Sequence, residues 1–548
     1  AGRLALDGGG LSGELLFRPA GDVQRIEGHI DARRARLGGK VTVARAHLDL
    51  VALLDPAGTS IEASVNGGGL RRGKLTIGRF AAAAHLRGGT GEITAQISAA
   101  RGRAFDVRSV IAVTPDSYRI TAEGSVDRRP LKLVEPAVVT REGDAWRLAP
   151  TRLTFAGGEA KLSGLFGDDA TNVEAAVTRM PLSILDIGYP GLALGGSASG
   201  NVSYAVRGDG PPTGRVDMTV RGLTRSGLFA SSAPIDIGIA GVLSADRAGV
   251  RAVMASGGQT IGRAQAQLSP LGQGDIAERL MGAGLFAQLR YNGPADTLWR
   301  LSGLEMLAIS GPMALGADVT GRVSDPSIRG MLRTSGARIE SATTGTVLTN
   351  VQASGTFQGS RLQIQQFAAD AGKGGRVTGS GQFDFSAEAG IGLDLSLDAA
   401  HAVLINRDDI GATVTGPLRL PSSGNGGLIS GDVTLDRSRY RLGQASAATA
   451  VPQLRIREIN LPGGEEEEAR ATPWRLDVHA RAPNQLAVSG LGLSSEWSAD
   501  LRIGGAPDNP AITGRADLVR GNYEFAGREF QLSRGVIRFA GEVPAHPA

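Results

Sequence analysis

The stretch Arg376-Val-Thr-Gly-Ser-Gly-Gln-Phe-Asp-Phe385 alternates between apolar or small residues and polar residues. Successive side chains of a β-strand point to opposite faces, so this period of two predicts a strand with one apolar face and one wet face. The residues that share the apolar face are Val377, Gly379, Gly381, Phe383 and Phe385. The alternation indicates a sheet with one apolar side.

Equivalent alternation occurs elsewhere in the chain. Leu393, Leu395 and Leu397 are separated by polar residues. Further examples are Ile93 to Ile97, Val216 to Val220, Leu476 to Val478 and Trp497 to Ile503. Because the same period recurs from the beginning to the end of the chain, the sequence predicts a mainly β protein.

Clusters of glycine, proline and asparagine separate these segments. Examples are Ser324-Asp-Pro326, Ser422-Ser-Gly-Asn-Gly-Gly427 and Pro507-Asp-Asn-Pro510. These residue types favour tight turns, and their spacing predicts short antiparallel strands. The stretch Gly431–Leu442 recurs as Gly514–Phe525 with matching Gly, Leu, Arg and Tyr. Such repeats predict an elongated array in which each unit packs against its neighbours.

Helical patterns are few. The longest runs from Asp275 to Leu289, with Asp275 as the N-cap. Its predicted apolar face consists of Ile276, Leu280, Ala283 and Ala287. Shorter helices are predicted at Pro294 to Leu301 and at Pro181 to Ile187, each with proline at its start. The sequence thus predicts a β-sheet with a few short helices.

Composition narrows the functional classes. The 548 residues include 80 glycines, and aromatic residues make up only 4% of the chain, so any core consists of small and aliphatic side chains. The net charge is +4, and arginines are interleaved with acids, as in Arg215-Val-Asp217. This balance argues against a nucleic-acid partner. The absence of cysteine excludes disulfide bonds and thiol chemistry.

No sequence motif indicates an enzyme. The histidines occur singly, and none has the spacing of a metal-binding pair; they are His29, His47, His85, His401, His479 and His546. Gly8-Gly-Gly10-Leu-Ser-Gly13 matches the dinucleotide-binding fingerprint by letter, but no βαβ pattern surrounds it, so it is interpreted as a glycine turn. Catalytic serine motifs and phosphate-binding loops do not occur. We therefore expect no catalytic residue, cofactor or metal site.

Three acidic clusters are interpreted as surface loops. Four adjacent carboxylates at Glu465 to Glu468 could hold Ca²⁺ weakly, but neighbouring loop residues seldom converge on one ion. A solvated loop tip is the preferred interpretation. Asp168-Asp169 and Asp408-Asp409 are interpreted as turns, because nothing nearby supplies a partner for acid–base chemistry.

The segment Gly514–Phe525, followed by Phe530-Gln-Leu-Ser-Arg-Gly-Val-Ile-Arg-Phe539, closely resembles the C-terminal region of the TamB-type translocation and assembly module proteins. These proteins belong with the AsmA-like bridge proteins. Three earlier stretches, Tyr291–Trp299, Gly345–Leu348 and Gly355–Phe357, also resemble this family. The resemblance is specific from about residue 180 onward and weaker before it.

The resemblance implies a long β-sheet rolled lengthwise into an open groove with an apolar interior, the β-taco or AsmA-like form. It implies a non-enzymatic role in outer-membrane biogenesis, through phospholipid passage between membranes or through assembly of outer-membrane and autotransporter proteins. The implied partners are phospholipid acyl chains, a TamA-like outer-membrane barrel and client proteins. The implied location is the periplasm. An inner-membrane anchor is expected outside this chain, which is therefore expected to be a fragment that also lacks the extreme C-terminus.

On this basis the alternating residues are predicted to line the groove. They are Val377, Phe383, Phe385, Leu393, Leu395, Leu397, Leu476, Val478, Leu501 and Ile503. The predicted organisation is a repetitive β region at 1–270, a helical insertion at 271–303 and the start of the TamB-type C-terminal β domain at 304–548. An apolar strand face could equally line a packed sandwich, and the pattern alone does not separate the two.

Two other functional classes stay open at the level of sequence. A secreted adhesin-like β-solenoid, such as an autotransporter passenger, would show stacks of Asn, Thr and Ser, whereas asparagines are sparse here. A carbohydrate-active β-helix enzyme would need clustered carboxylates beside aromatic platforms, and neither is evident. A lipid conduit needs a continuous apolar stripe along many strands, and the sequence shows parts of such a stripe.

Overall fold

A computed structural model describes residues 2–21, 23–37, 41–72, 75–98, 104–187, 189, 192–208, 210–226, 232–274, 276–301, 307–385, 390–424, 426–443, 474–507 and 509–542. Strands account for 78% of these residues, which confirms the mainly β prediction. The chain divides into two compact units. Unit 1 includes Ala1–Thr260 and Gln267–Ala283, and unit 2 includes Ile261–Ala266, Gly284–Arg455 and Glu467–Ala548.

Strands of unit 1 pair antiparallel with their neighbours in sequence, and β9 pairs with both β10 and β11. The strands are β1 Gly2–Gly8, β2 Leu11–Ala20, β3 Val23–Leu37, β4 Val41–Leu54, β5 Ser60–Arg72, β6 Leu75–Arg87, β7 Thr90–Ser98, β8 Phe105–Thr114, β9 Ser117–Val126, β10 Arg129–Leu133, β11 Ala137–Glu142, β12 Ala145–Phe155, β13 Gly158–Phe166, β14 Ala170–Pro181, β15 Leu194–Arg207, β16 Thr213–Arg225, β17 Ile235–Leu243 and β18 Ala248–Ser256. Strand β19, Gln259–Leu268, follows them in the chain.

Strands of unit 2 also pair mainly with sequence neighbours. They are β20 Gly284–Pro294, β21 Ala308–Ser310, β22 Pro312–Arg322, β23 Asp325–Ser341, β24 Thr346–Gly359, β25 Arg361–Asp370, β26 Arg376–Asp384, β27 Gly392–Asn406, β28 Ile410–Gly424, β29 Gly426–Arg441, β30 Arg475–Gly490, β31 Leu493–Ala506, β32 Asn509–Phe525, β33 Arg528–Gln531 and β34 Val536–Ala540. Many are longer than the sequence predicted, and β23 and β32 each contain 17 residues.

The pairing of β29 with β30 is parallel, so the prediction of antiparallel pairing was wrong at this position. A parallel pair cannot be closed by a tight hairpin turn and needs a long connection. The chain supplies one, because β29 ends at Arg441 and β30 begins at Arg475. The acidic run Glu465 to Glu468 falls in this connection and lies outside the described residues.

Three short helices occur among the described residues. The 3₁₀ helix Leu182–Ile187 and the α-helix α2, Ala295–Leu301, confirm two predictions. The helix predicted from Asp275 to Leu289 was wrong in its second half: α1 covers only Ile276–Gly282, and strand β20 begins at Gly284. Glycines at 282 and 284 weaken the helix, and Ala287 pairs instead with Val319 of β22. The predicted N-cap, Asp275, lies outside the described residues.

The predicted turns are confirmed where the structure describes them. Ser324-Asp-Pro326 lies at the connection of β22 and β23, and Gly8 to Gly13 spans the turn between β1 and β2. The acidic pairs Asp168-Asp169 and Asp408-Asp409 lie between strands, and the Arg407 guanidinium donates a 3.0 Å hydrogen bond to Asp409. Among the described residues, no helix has the length and apolar character needed to cross a bilayer.

Packed cores form locally within each unit. In unit 1, Phe105, Val126, Phe155 and Met180 make a buried cluster, and Ile184 and Ile187 of the 3₁₀ helix pack against it. Unit 2 contains separate clusters, one around Trp497 and Leu501 and another around Val377 and Ala399. Each cluster includes only some of the side chains on the strand faces that contribute to it.

Candidate functional site

Cross-strand register in unit 1 aligns apolar residues into rows that run perpendicular to the strands. One row has a member in every strand from β1 to β18 except β10. Its members are Gly2, Phe17, Ile26, Ala52, Ile61, Leu86, Gly91, Val113, Tyr118, Val139, Leu148, Gly164, Val173, Tyr204, Gly214, Leu243 and Ala248. The row contains no charged residue.

A second row lies two residues along each strand and therefore on the same face. Its members are Leu4, Leu15, Gly28, Leu50, Ala63, Ala84, Ile93, Ile111, Ile120 and Ala137. Together the two rows give the first half of unit 1 a broad apolar surface.

Glycines within the rows make room for the leucines opposite them. A Cβ atom added at Gly28 would lie 2.6 Å from Leu15 Cδ2, and one added at Gly379 of unit 2 would lie 2.6 Å from Leu397 Cδ2. The leucine side chains therefore lean over the facing glycines. This arrangement gives a structural use to glycines other than those that the sequence assigns to turns.

Unit 2 contains a comparable row from β20 to β32. Its members are Gly293, Met313, Thr334, Ala353, Phe367, Gly379, Leu397, Leu418, Gly431, Val478, Ile503 and Ile512. The Thr334 hydroxyl donates a 2.6 Å hydrogen bond to the Pro312 carbonyl, so its polarity is satisfied locally. We refer to this row and the two of unit 1 as the apolar rows.

Many side chains on the face of the apolar rows are only partly covered. Leu4 is 50% exposed, whereas Phe155, in the packed cluster, is fully buried. Val202, two residues from row member Tyr204 and hence on the same face, is 42% exposed. An apolar surface whose side chains, such as that of Val202, keep part of their area uncovered is suited to an apolar ligand.

The three leucines predicted to line a groove lie on one face of β27. Leu395 pairs with Gly381 and Leu420, and Leu397 is a member of the unit 2 row. Leu393 pairs with Phe383. These side chains are half-buried, whereas Ser396 on the opposite face is exposed.

Two other predicted lining residues are more deeply buried, in clusters against which Leu397 and Ile503 also pack. Val377 is 3% exposed and Leu501 is 9% exposed, and both belong to packed clusters. Phe385 is 45% exposed, with its ring 6.2 Å from that of Phe357.

The remaining three predicted residues lie on β30 and β31. Val478 and Ile503 are paired members of the unit 2 row. Leu476 lies two residues before Val478 on the same face and pairs with Gly505. All three are half-buried. The structure thus brings Leu397, Val478 and Ile503, which are far apart in sequence, into a single row.

A cleft of about 720 Å³ lies beside the unit 2 row. Its lining includes the row members Met313, Ala353 and Phe367 together with Arg333 and Arg376. By the strand register, Arg333 lies on the face opposite the row member Thr334, so the cleft is not assigned to the apolar face; its volume falls within the usual range of about 300 to 1,000 Å³ for ligand pockets.

The opposite face of unit 2 carries charged networks. The His479 ring lies 3.2 Å from Asp432 through Nδ1 and 2.8 Å from Asp500 through Nε2, while Arg481 also contacts Asp432. Hydrogen bonds to Asp500 and Asp432 raise the pKa of His479. Hydrogen bonds from His479 and Arg481 lower the pKa of the Asp432 carboxyl. The apolar and charged sets thus occupy opposite sides of the same strands.

Replacing His479 by glutamine is expected to change the pH dependence of stability. A histidine whose folded pKa is raised stabilises the fold below its unfolded pKa of about 6.5, and this contribution is lost as the pH rises through the raised folded value. The wild type should therefore melt at a higher temperature than the variant at about pH 5.5, and the difference should shrink towards about pH 8.5. The exposed His85, changed to glutamine, serves as the control. A constant difference across this range contradicts the assignment.

Sequence reasoning identified short parts of the rows but missed their continuity. The alternation at Ile93 to Ile97 and at Val216 to Val220 was visible, whereas Leu50, Ile111 and Leu148 were not singled out. Apolar residues on the opposite face, such as Val51 beside Leu50 and Val110 beside Ile111, obscure the simple period, so comparison between adjacent segments would have been needed to find these row members.

Comparison with known proteins identifies one family. Residues 365–548, about a third of the chain, match the family model of the TamB C-terminal domain. The predicted resemblance to TamB-type proteins is confirmed on this part of the chain. The search of curated proteins gives no match.

Proposed function

We propose that this chain, whose residues 365–548 match the TamB C-terminal domain, is a non-enzymatic component of outer-membrane biogenesis in the bacterial envelope. In this proposal the apolar rows bind phospholipid acyl chains and guide them between the inner and outer membranes. The observation that carries the proposal is the row from Gly2 to Ala248, which has no charged member and continues through nearly every strand of unit 1.

The physical basis is the cost of leaving this surface in water. Burial of apolar area contributes about 25 cal/mol per Å², so half-exposed leucines and valines gain free energy when acyl chains cover them. Acyl chains have no hydrogen-bonding groups and need none from the wall. The charges on the opposite face, such as those around His479, keep that side in water.

The partners in this proposal follow from the family resemblance. A TamA-like outer-membrane barrel would receive the C-terminal end, and outer-membrane or autotransporter proteins would be the clients of assembly. The periplasm is the proposed location. Lipid passage and client assembly can share one apolar surface, because unfolded client strands also expose alternating apolar residues.

Photo-crosslinking at neighbouring positions of β8 tests the proposal. A photoreactive amino acid at Ile111, a member of an apolar row, is expected to form adducts with phospholipid in cells. The same amino acid at Val110 is the matched control, since Val110 is 39% exposed and points to the opposite face. Mass spectrometry of the purified protein identifies the adducts and any lipid that co-purifies.

Lipid adducts at Ile111 and not at Val110 support the proposal. Equal labelling at both positions, or a folded protein that yields no phospholipid from either, contradicts it. Peptide adducts confined to Ile111 would assign the apolar rows to client proteins in place of lipid.

A further inference from the structure

The hairpin of β3 and β4 brings together two histidines that are 18 positions apart in sequence. The register pairs His29 with Asp49 and Asp31 with His47, so the four side chains form a block on one face of the hairpin. Gly28 precedes His29 and Leu50 follows Asp49 in the sequence. Both belong to the apolar rows, and both lie on the other face of the hairpin. The block is therefore separate from the proposed lipid surface. Sequence spacing did not reveal it, because the cluster exists only after the strands pair.

The nitrogen and oxygen atoms of the block lie close together. His29 Nδ1 lies 2.5 Å from Asp49 Oδ1, and His47 Nε2 lies 3.1 Å from Asp49 Oδ2. One ligand atom from each of His29, His47 and Asp49 can be chosen so that all lie within 4.8 Å of one another. Two ligands at about 2.1 Å from one zinc ion are roughly 3.0 to 3.4 Å apart at angles between about 90° and 110°. Small side-chain rotations therefore suffice for one ion to reach all three.

Asp31 supplies an independent observation. His47 Nδ1 donates a 3.0 Å hydrogen bond to Asp31 Oδ1. A neutral imidazole has one N–H, so this bond leaves the lone pair of Nε2 directed towards the Asp49 carboxylate. The gap between Nε2 and the Asp49 carboxylate is then filled either by a second ring proton or by a metal ion, and the two compete for the same lone pair. In zinc sites, the ring nitrogen of a histidine that does not bind the metal usually donates its N–H to a carboxylate, which orients the ring.

We propose that His29, His47 and Asp49 bind a divalent transition-metal ion of the zinc type, with Asp31 orienting His47. Imidazole nitrogen with one carboxylate is a donor set that suits zinc, copper or nickel better than magnesium or calcium. Three protein ligands leave a fourth position for water. The ion would join β3 to β4 on the face opposite the apolar rows, and this inference does not depend on the proposed function.

Isothermal titration of the full chain with ZnCl₂ tests the site, using protein prepared without a histidine tag. We expect saturable binding of one ion, accompanied by a rise in melting temperature. His47→Ala should abolish this binding. Asp31→Asn should weaken it by about 10- to 100-fold, as is usual for residues that hydrogen-bond a metal-binding histidine. MgCl₂ should not compete. His401→Ala is the matched control, because His401 is exposed and contacts a single carboxylate, Asp436, at 2.9 Å.

Circular dichroism of each variant confirms that the strands are retained, and His29→Gln provides a second ligand variant should His47→Ala fail to fold. Binding that is unchanged in both ligand variants overturns the proposal, as does the absence of saturable zinc binding in the wild type. Equal loss of binding in His401→Ala would place the ion elsewhere and would also overturn it.

Discussion

The variant Leu395→Arg is expected to lose bound phospholipid while the protein stays folded. Leu395 is half-buried, pairs with Gly381 and Leu420, and lies on the face of the unit 2 row. An arginine there would place a charge where the proposed neighbour is hydrocarbon, at a cost of about 3 kcal/mol by analogy with bilayer insertion. Lipid affinity at this position should fall on the order of 100-fold. Lipid occupancy by mass spectrometry and the melting temperature measure the two effects.

The matched control is Ser396→Arg on the same strand. Ser396 is exposed on the opposite face, so arginine there should change stability by no more than about 0.5 kcal/mol and leave lipid occupancy unchanged. If Leu395→Arg unfolds this region outright, Leu395 belongs to a packed core in which a buried charge has no partner. Full lipid occupancy in a folded Leu395→Arg protein, or equal effects of the two substitutions, would defeat the assignment of this face.

The variant Phe155→Ala is expected to have the largest effect on stability. Phe155 is fully buried in the cluster that the 3₁₀ helix Leu182–Ile187 covers. Truncation of a buried phenylalanine removes its apolar contacts and leaves a cavity, which costs about 3 to 5 kcal/mol. Hydrogen exchange at the amides of β12 and β13 reports this loss locally, which suits a chain with more than one compact unit.

Phe166→Ala provides the comparison within the same pair of strands. Phe166 is 42% exposed at the end of β13, so its truncation should cost less than roughly 1 kcal/mol. A larger loss of stability in Phe155→Ala than in Phe166→Ala would distinguish the packed parts of unit 1 from the parts whose apolar surface is uncovered. Similar losses in both variants would show that Phe166 is covered in solution and would weaken the proposal of an open apolar surface.

The strand character of this protein was predictable because it is a local property. The period of two at Arg376 to Phe385 assigns each side chain to a face, whatever the strand pairs with. The turn residues at Ser324-Asp-Pro326 likewise determine where one strand ends and the next begins. The short helices at Leu182–Ile187 and Ala295–Leu301 were predictable from their prolines and apolar spacing for the same reason.

The failures of prediction arose where partners distant in sequence decide the outcome. Residues 284–289 continue a helical pattern in the sequence, yet pairing with β22 makes them a strand. The parallel pairing of β29 with β30 depends on segments separated by a long connection. Local propensity differs by less than about 1 kcal/mol per residue between such alternatives, so tertiary hydrogen bonding and burial prevail.

The sequence by itself determined that the chain is a β protein with one apolar strand face. It also supported the resemblance to TamB-type proteins, which the family match over residues 365–548 confirms. Only the tertiary structure decided which residues share a row, and it separated the buried Val377 and Leu501 from the half-buried Leu395. It also brought His29 and His47 to one place. The physical reason is that the face of a residue follows from backbone geometry over two positions, whereas register and burial depend on hydrogen bonds and packing between strands that the chain brings together only on folding.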